Sequence, residues 1–274
     1  MPADALALAL GAAAIHAVWN LLLAGADDTR MAAAAQLLAS IVIWAPLCLA
    51  VWRVESEAVP YLVAASALQL AYFALLAAAY AEGELSLVYP LARGGAPLVV
   101  ALIAALGAGG AITGVQAAGI VAIALGVVAV RGVRGPWRGR DTLLAGATAV
   151  CIAGYTVLDR YGVRHANPLT YVWLEIAPVA LIYVGVMARR RGGAAVRAAM
   201  GWRPVLAGVG GIGSYVMVLA ALRLTSAASV AAVRETSVVI AVGLGALVLG
   251  ERVGRGRMLG AVAVAAGTAL VALG

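Results

Sequence analysis

The chain has 274 residues, 65% of them hydrophobic and only 11% charged, with a mean hydropathy of +1.03. So little charge cannot coat a soluble particle of this size, since soluble domains carry about 25% charged residues, and the excess apolar surface must face lipid. The net charge of +7 is carried by arginine without a single lysine, and these arginines collect between apolar stretches, where basic residues set membrane topology and meet anionic headgroups rather than nucleic acid.

Ten apolar runs follow one another at approximately 3–24, 30–52, 60–80, 85–107, 111–130, 142–162, 168–188, 203–224, 227–249 and 254–273. A spanning helix takes roughly 20 apolar residues, so these runs and their short loops use the whole chain. Lipid admits only helices and closed barrels. Barrel strands alternate in polarity over about ten residues, and stretches such as Ile120 to Val130 do not. The expected fold is an all-α membrane protein of ten transmembrane helices.

The first run opens on Met1-Pro2-Ala3-Asp4, which lacks the basic start of a cleaved signal peptide, so it reads as a retained helix. It carries His16, Trp19 and Asn20; His16 and Asn20 are four apart and share a face. Either they line a cavity or His16 is a hydrogen-bonded packing residue. In the fourth run, Tyr89-Pro90-Leu91-Ala92-Arg93-Gly94-Gly95-Ala96-Pro97 places two prolines and two glycines around an arginine. This composition predicts a weakened or kinked helix whose freed backbone faces a cavity. Arg93 itself lies about 12 Å deep at about 1.5 Å per residue. A central arginine costs about 2.5–3.5 kcal/mol on insertion scales and normally faces a cavity or a partner.

After the fifth run, Arg131, Arg134, Arg138 and Arg140 surround Pro136 and Trp137. This polar stretch, 131–141, reads as a linker between residues 1–130 and 142–274. The sixth run offers Tyr155 and Thr156 toward its middle, and Asp159 and Arg160 read as caps at its interfacial end. Glu175 in the seventh run is a candidate proton-coupling carboxylate, or else a counter-ion for Arg234. Gly208 to Gly213 reads as helix packing. Arg234 lies as deep in the ninth run as Arg93 in the fourth, and Glu235 points about 100° away from it, a poor partner for Arg234 but a second polar group at that level.

Sliding the second half over the first by 141 residues brings Arg93 onto Arg234, Gly109 onto Gly250, Gly119 onto Gly260 and Gly126 onto Gly267, with Ala122 and Ala124 on Ala263 and Ala265. A unit of five spans ends opposite to where it begins, so its copy is inverted. Inverted repeats are the architecture of secondary transporters, with the substrate near the midplane. The candidate substrate contacts are therefore Arg93, Arg234, Glu175, Trp19, Asn20, His16, Tyr89, Tyr155 and Glu235. The arginines would bind a carboxylate or phosphate, or would be internal ion pairs. No HExxH, GxSxG, GxxxxGK[ST] or CxxC motif is present, and His16 and His165 are too few and scattered for a metal site. Cys48 and Cys151 lie inside apolar runs as packing thiols. No cofactor is expected and no enzyme activity.

The pattern resembles the drug/metabolite transporter superfamily, specifically its EamA-type members, over nearly the whole chain. The carriers of the likeness are the five-plus-five repeat, the Trp19-Asn20 pair and Leu249-Gly250-Glu251-Arg252 before the last run; the first repeat departs from it with Gly109-Gly110-Ala111. The resemblance implies a small-molecule exporter or carrier in a bacterial inner membrane. Its partners would be a polar metabolite, anionic or zwitterionic, with proton coupling or exchange, and the lipid bilayer. The rival readings are an exporter of cationic or amphipathic compounds that uses Glu175, and a non-transporting membrane subunit. The family habit puts both termini in the cytoplasm. Counting arginines argues the reverse. Arg53, Arg160, Arg164 and Arg223 would lie on the terminal face, and the larger remainder, from Arg30 through the linker and Arg189–Arg203 to Arg257, on the other.

Overall fold

Apolar runs that cannot expose backbone to lipid become helices, and the computed structural model describes residues 1–24, 26–81, 85–107, 111–131, 139–249 and 254–274 as almost entirely helical. The first five helices are α1 (Ala3–Ala24), α2 (Thr29–Ala50), α3 (Val59–Ala81), α4 (Leu85–Ala105) and α5 (Gly114–Arg131). The second half holds α6 (Gly139–Gly162), α7 (Pro168–Arg191), a short α8 (Gly193–Ala198), α9 (Trp202–Leu224), α10 (Ala227–Arg234), α11 (Thr236–Leu249) and α12 (Arg255–Leu273). Among the described residues, eight spans are long and apolar enough to cross a bilayer, and two shorter apolar helices, Ala92–Ala105 and Gly114–Val130, take the fourth and fifth places.

Local chemistry explains the helix starts. Asp28 caps α2 by accepting from the backbone N–H of Arg30 and Met31, Asn167 caps α7 ahead of Pro168, and Ser226 caps α10 through the Ser229 N–H. The expected weakening of the fourth run is not found as a break: α4 runs unbroken through Pro90 and Pro97. The interruption lies in the ninth run instead, at Glu235 between α10 and α11. There the Glu235 N–H turns back to Ala232 O, and the Thr236 hydroxyl donates to Val233 O, which draws that carbonyl out of the regular ladder. Broken helices at membrane depth are tolerated where they line a site.

The helices pair in a reciprocal pattern. α1 packs on α9 as α6 packs on α3; α4 packs on α6 as α10 and α11 pack on α1; α2 packs on α9 as α7 packs on α3. The most extensive contact, α5 with α12, is built on bare backbone. A Cβ on Gly119 would stand 2.6 Å from Gly267 O and one on Gly267 would stand 2.6 Å from Gly119 O, while Gly126 and Gly260 stand in the same relation at 2.7 Å. Small residues let membrane helices approach this closely. Gly208 does the same for α9, where a Cβ would meet Gln36 O of α2 at 2.8 Å. Large apolar side chains such as Leu125, Leu143, Leu181 and Val262 face outward, as a lipid-bathed surface requires. Cys48 and Cys151 are free and buried.

On the face that carries the termini, the α2–α3 loop is stitched to the end of α6. Val54 bridges Ala166 antiparallel, the Glu55 N–H donates to His165 O at 2.8 Å and the Asn167 N–H donates to Arg53 O at 2.8 Å. Arg223 donates to the carbonyls of Val163 and Ala166, and Arg160 to Thr225 O. On the opposite face, Arg191 reaches Asp28 at 3.4 Å. Most of the 131–141 stretch, Gly109-Gly110, and Gly250-Glu251-Arg252 lie outside the described residues.

Candidate functional site

Midway along α4 and α7, at the junction of α10 and α11, and in the last turn of α6, polar side chains from both halves of the chain converge. Arg93 of α4 and Arg234 of α10 are 5% and 9% exposed, Glu235 is 5% exposed, and Asp159 of α6 and Glu175 of α7 are fully buried. Neighbouring positions on a helix point about 100° apart, and that separates Arg234 from Glu235 as the spacing predicts. Glu235 turns to the first half of the chain: its Oε1 lies 3.4 Å from Arg93 Nη2. His16 Nε2 lies 3.4 Å from the same guanidinium nitrogen and meets Trp19 edge-on at 4.8 Å.

Arg234 is placed differently. Its guanidinium lies 5.3 Å from the centre of the Tyr215 ring of α9, a cation–π geometry. Among the described residues it makes no hydrogen bond and no ion pair. The direct pairing with Glu175 that its depth invited is not formed. Glu175 Oε1 instead accepts from Gln69 Nε2 of α3 at 2.8 Å, and the carbonyl of the same residue accepts from the Ser66 hydroxyl. Arg234 acts on Glu175 and on Asp159 only through space.

Asp159 corrects the expectation of an interfacial cap. Its Oδ2 accepts from the Tyr215 hydroxyl at 2.5 Å, one helix away from Arg234. Arg160, by contrast, does bond at the helix end, to Thr225 O. Tyr155 sits beside Tyr215 and within electrostatic reach of Arg93, Arg234, Asp159 and Glu175. Among the described residues, Trp19 Nε1, Glu175 Oε2 and Glu235 Oε2 are buried there without a hydrogen-bond partner, and the buried Tyr171 hydroxyl lies beside Asp159, whose Oδ1 accepts from no other group.

Of the residues singled out in the sequence, Arg93, Glu235, His16 and Trp19 thus form one group, and Arg234, Glu175 and Tyr155 a second beside it. Asn20 joins neither, because its amide donates to His16 O at 2.7 Å. The side chain of Tyr89 lies outside the described residues. Sequence reasoning missed Asp159, Gln69 and Tyr215; a buried-face assignment for α6 would have found the first. His165 is less isolated than its spacing implied. Its ring lies 3.3 Å from Glu55 Oε2, and Glu57 completes a group whose ligand atoms lie within 4.8 Å of one another. Glu55 also accepts from Arg53 at 2.8 Å. The Arg53 hydrogen bond, helped by His165, holds its carboxyl below the usual range.

Residues 142–273 match the EamA-like transporter family. The match covers a little under half of the chain. The EamA-like family is one of membrane transporters of the drug/metabolite type rather than of enzymes, which fits a multi-pass chain carrying buried charges at mid-depth. A solved crystal structure superposes over 100% of this chain and 99% of its own with a TM-score of 0.78, at 16% identity, so that likeness speaks for the fold alone. In all, 26 chains of solved structures match. No curated protein matches the chain in sequence.

Proposed function

We propose that this EamA-like chain is a secondary transporter of the inner membrane, working by alternating access and moving a small polar metabolite whose anionic group docks on Arg234. The observation that carries the reading is the buried Arg234 guanidinium, which lies over Tyr215 with no acid bonded to it. A desolvated cation that makes no hydrogen bond among the described residues has donors to give to a ligand, and guanidinium matches carboxylate and phosphate in a two-pronged geometry. Arg93 supports the site differently, by pinning the interrupted helix through Glu235.

The two-repeat reading, 1–130 and 142–274 in inverted orientation, is supported by the reciprocal glycines. Gly119 and Gly126 become Gly260 and Gly267 on adding 141, and the contacts run Gly119 to Gly267 and Gly126 to Gly260. An antiparallel pair in which each partner sees the same surface of the other is what a two-fold axis in the membrane plane produces.

The test is the thermal stability of the purified protein in detergent against amino acids, phosphonates, organic phosphates, nucleotide sugars and organic cations. A ligand that binds the native state stabilises it by mass action. Stabilisation by an anion-bearing solute, lost in Arg234→Gln, is the expected result. Stabilisation by cations alone, retained in that variant, would move the reading to an exporter of cationic compounds. No stabilisation together with no flux in liposomes would leave a non-transporting subunit.

A further inference from the structure

We propose that the trough bounded by α2, α7 and α8 binds one anionic phospholipid, whose phosphate is held by Arg197 and whose acyl chain lies between α2 and α7. The site is on the outer side of the bundle, apart from Arg93, Arg234 and the buried acids, and it stands whether or not Arg234 meets a solute.

The trough begins with a change of direction in the chain. α7 ends in Arg189, Arg190 and Arg191, and Gly192 follows with φ +86°, a backbone angle that other residues rarely adopt. Beyond it, α8 packs against both α7 and α2. Val196 is the buried side chain of α8, while Arg197 beside it is exposed. The small residues Ala39, Ala188 and Gly193 leave a cavity of about 510 Å³ where the three helices meet. Val42, Ile43 and Met200 border it with 60%, 43% and 38% of their surfaces open. Among the described residues, Arg197 is the single charged group in the lining.

Charge and depth together select the occupant. Residues 189–203 hold Arg189, Arg190, Arg191, Arg197 and Arg203 and no acid. Asp28, at the start of α2, is already engaged by Arg191 at 3.4 Å. Arg197 makes no hydrogen bond and no ion pair among the described residues. Basic pockets between membrane helices favour phosphate headgroups. The depth comes from Trp202, which opens α9 at 64% exposure with the Arg203 guanidinium 5.3 Å from its ring. Exposed tryptophans at helix ends mark the headgroup level, and Arg197 and Met200 lie just before this one. Val42, by contrast, lies about 20 Å along α2 from Thr29, at about 1.5 Å per residue, which is hydrocarbon depth. A ligand that spans this run needs a phosphate at one end and an apolar chain at the other. Free phosphate would leave the apolar part unfilled. A second copy of the chain would need about 20–30 residues a side, far more than line the trough.

The experiment uses the purified full chain, stripped of lipid in detergent. It is titrated with phosphatidylglycerol or with phosphatidylcholine carrying the same acyl chains, and native mass spectrometry counts the lipids bound. The expected result is one phosphatidylglycerol per chain, held about tenfold more tightly than phosphatidylcholine, a difference of about 1.4 kcal/mol. Excess glycerol phosphate does not displace it. Arg197→Gln removes the preference and Arg197→Lys keeps most of it. Gly193→Phe fills the trough and removes the bound lipid, since a Cβ added at Gly193 meets nothing within 4 Å. Arg189→Gln, which removes the same charge outside the lining, leaves binding unchanged. Equal retention of the two lipids overturns the proposal, as does a preference that survives Arg197→Gln and Gly193→Phe. Equal losses in Arg197→Gln and Arg189→Gln overturn it in favour of diffuse surface charge, and displacement by glycerol phosphate overturns it in favour of a headgroup-only site. A lipid-free dimer that Gly193→Phe dissociates overturns it in favour of a second copy. If Gly193→Phe does not fold, the contrast between Arg197→Gln and Arg197→Lys decides the matter.

Discussion

Arg93 and Arg234 stand 141 positions apart at matching depth in matching helices, yet they live in opposite electrostatic circumstances. Arg93 has an acid at 3.4 Å and a histidine ring beside it; Arg234 has a tyrosine face and two acids that it reaches only through space. The acid that neutralises Arg93 is the neighbour of Arg234 in sequence, delivered from the second half of the chain to the first at the interruption between α10 and α11. Under the proposed two-repeat reading, one of these arginines joins the halves and the other is the one proposed to meet a ligand. The α5–α12 glycines behave differently under the same offset, for there the two pairs approach to within 0.1 Å of the same distance.

The largest effect that would break this contrast is loss of the Arg93 pair. Arg93→Gln strands Glu235 in the interior, and removing one partner of a buried pair costs about 3–5 kcal/mol. Thermal unfolding should show that loss, and Glu235→Gln added to it should restore much of the stability as a positive coupling in a double-mutant cycle. Additive losses would mean that the pair contributes nothing jointly. Next come the glycines. Gly119→Ala and Gly267→Ala each push a methyl group into backbone, and overpacking costs about 1–3 kcal/mol. Reciprocity requires the two losses to be nearly equal, and unequal melting shifts would count against a two-fold contact.

Arg234→Gln is expected to leave the melting temperature unchanged or raised, because it removes a buried charge that no acid contacts, while abolishing stabilisation by anion-bearing solutes. A drop in stability comparable to that of Arg93→Gln would erase the distinction between the two arginines. The smallest effect is at the surface. Burial plays little part at Glu55; the Arg53 hydrogen bond lowers its folded-state value below that of the unfolded chain. Its contribution is therefore present above the unfolded carboxylate range and is lost as pH falls through the lowered folded value. Hydrogen exchange at residues 53–57 and 163–167 should quicken only below that point, and Glu55→Gln should remove the pH dependence.

How much of this was legible in the sequence varies with the physics involved. The ten runs were plain because lipid leaves no freedom: each had to be apolar and helical, and among the described residues each is helical, the ninth as the two helices α10 and α11. The arginine pair was plain for the same reason, since a cation at mid-depth cannot be accidental. Its division of labour was not. The 100° rule correctly parted Arg234 from Glu235, but it says nothing about which helix faces the freed acid. The prolines of α4 suggested the wrong helix for an interruption; α4 passes through Pro90 and Pro97 unbroken, and the real break at Glu235-Thr236-Ser237 has no proline or glycine. Its only advance sign is the polar run itself, with Thr236 competing for a helix carbonyl. Asp159 was misplaced because distance from a helix end was read as distance from water. The following turn, Val163–His165, folds back beneath the α2–α3 loop and keeps that stretch of α6 enclosed.

The bare seam between α5 and α12 also has a mechanical meaning. Two helices whose backbones touch through glycine on both sides cannot slip lengthwise without driving Val264 or Ile123 into a carbonyl, nor separate without opening a void in lipid. Under the proposed alternating access the seam would serve as an axle, and a rearrangement that admits a solute from one side and then the other would turn about this line, with displacement growing toward α2 and α7. Spin labels placed on the outer faces of α5 and α12 should keep a fixed separation while labels across α2 and α7 sample two.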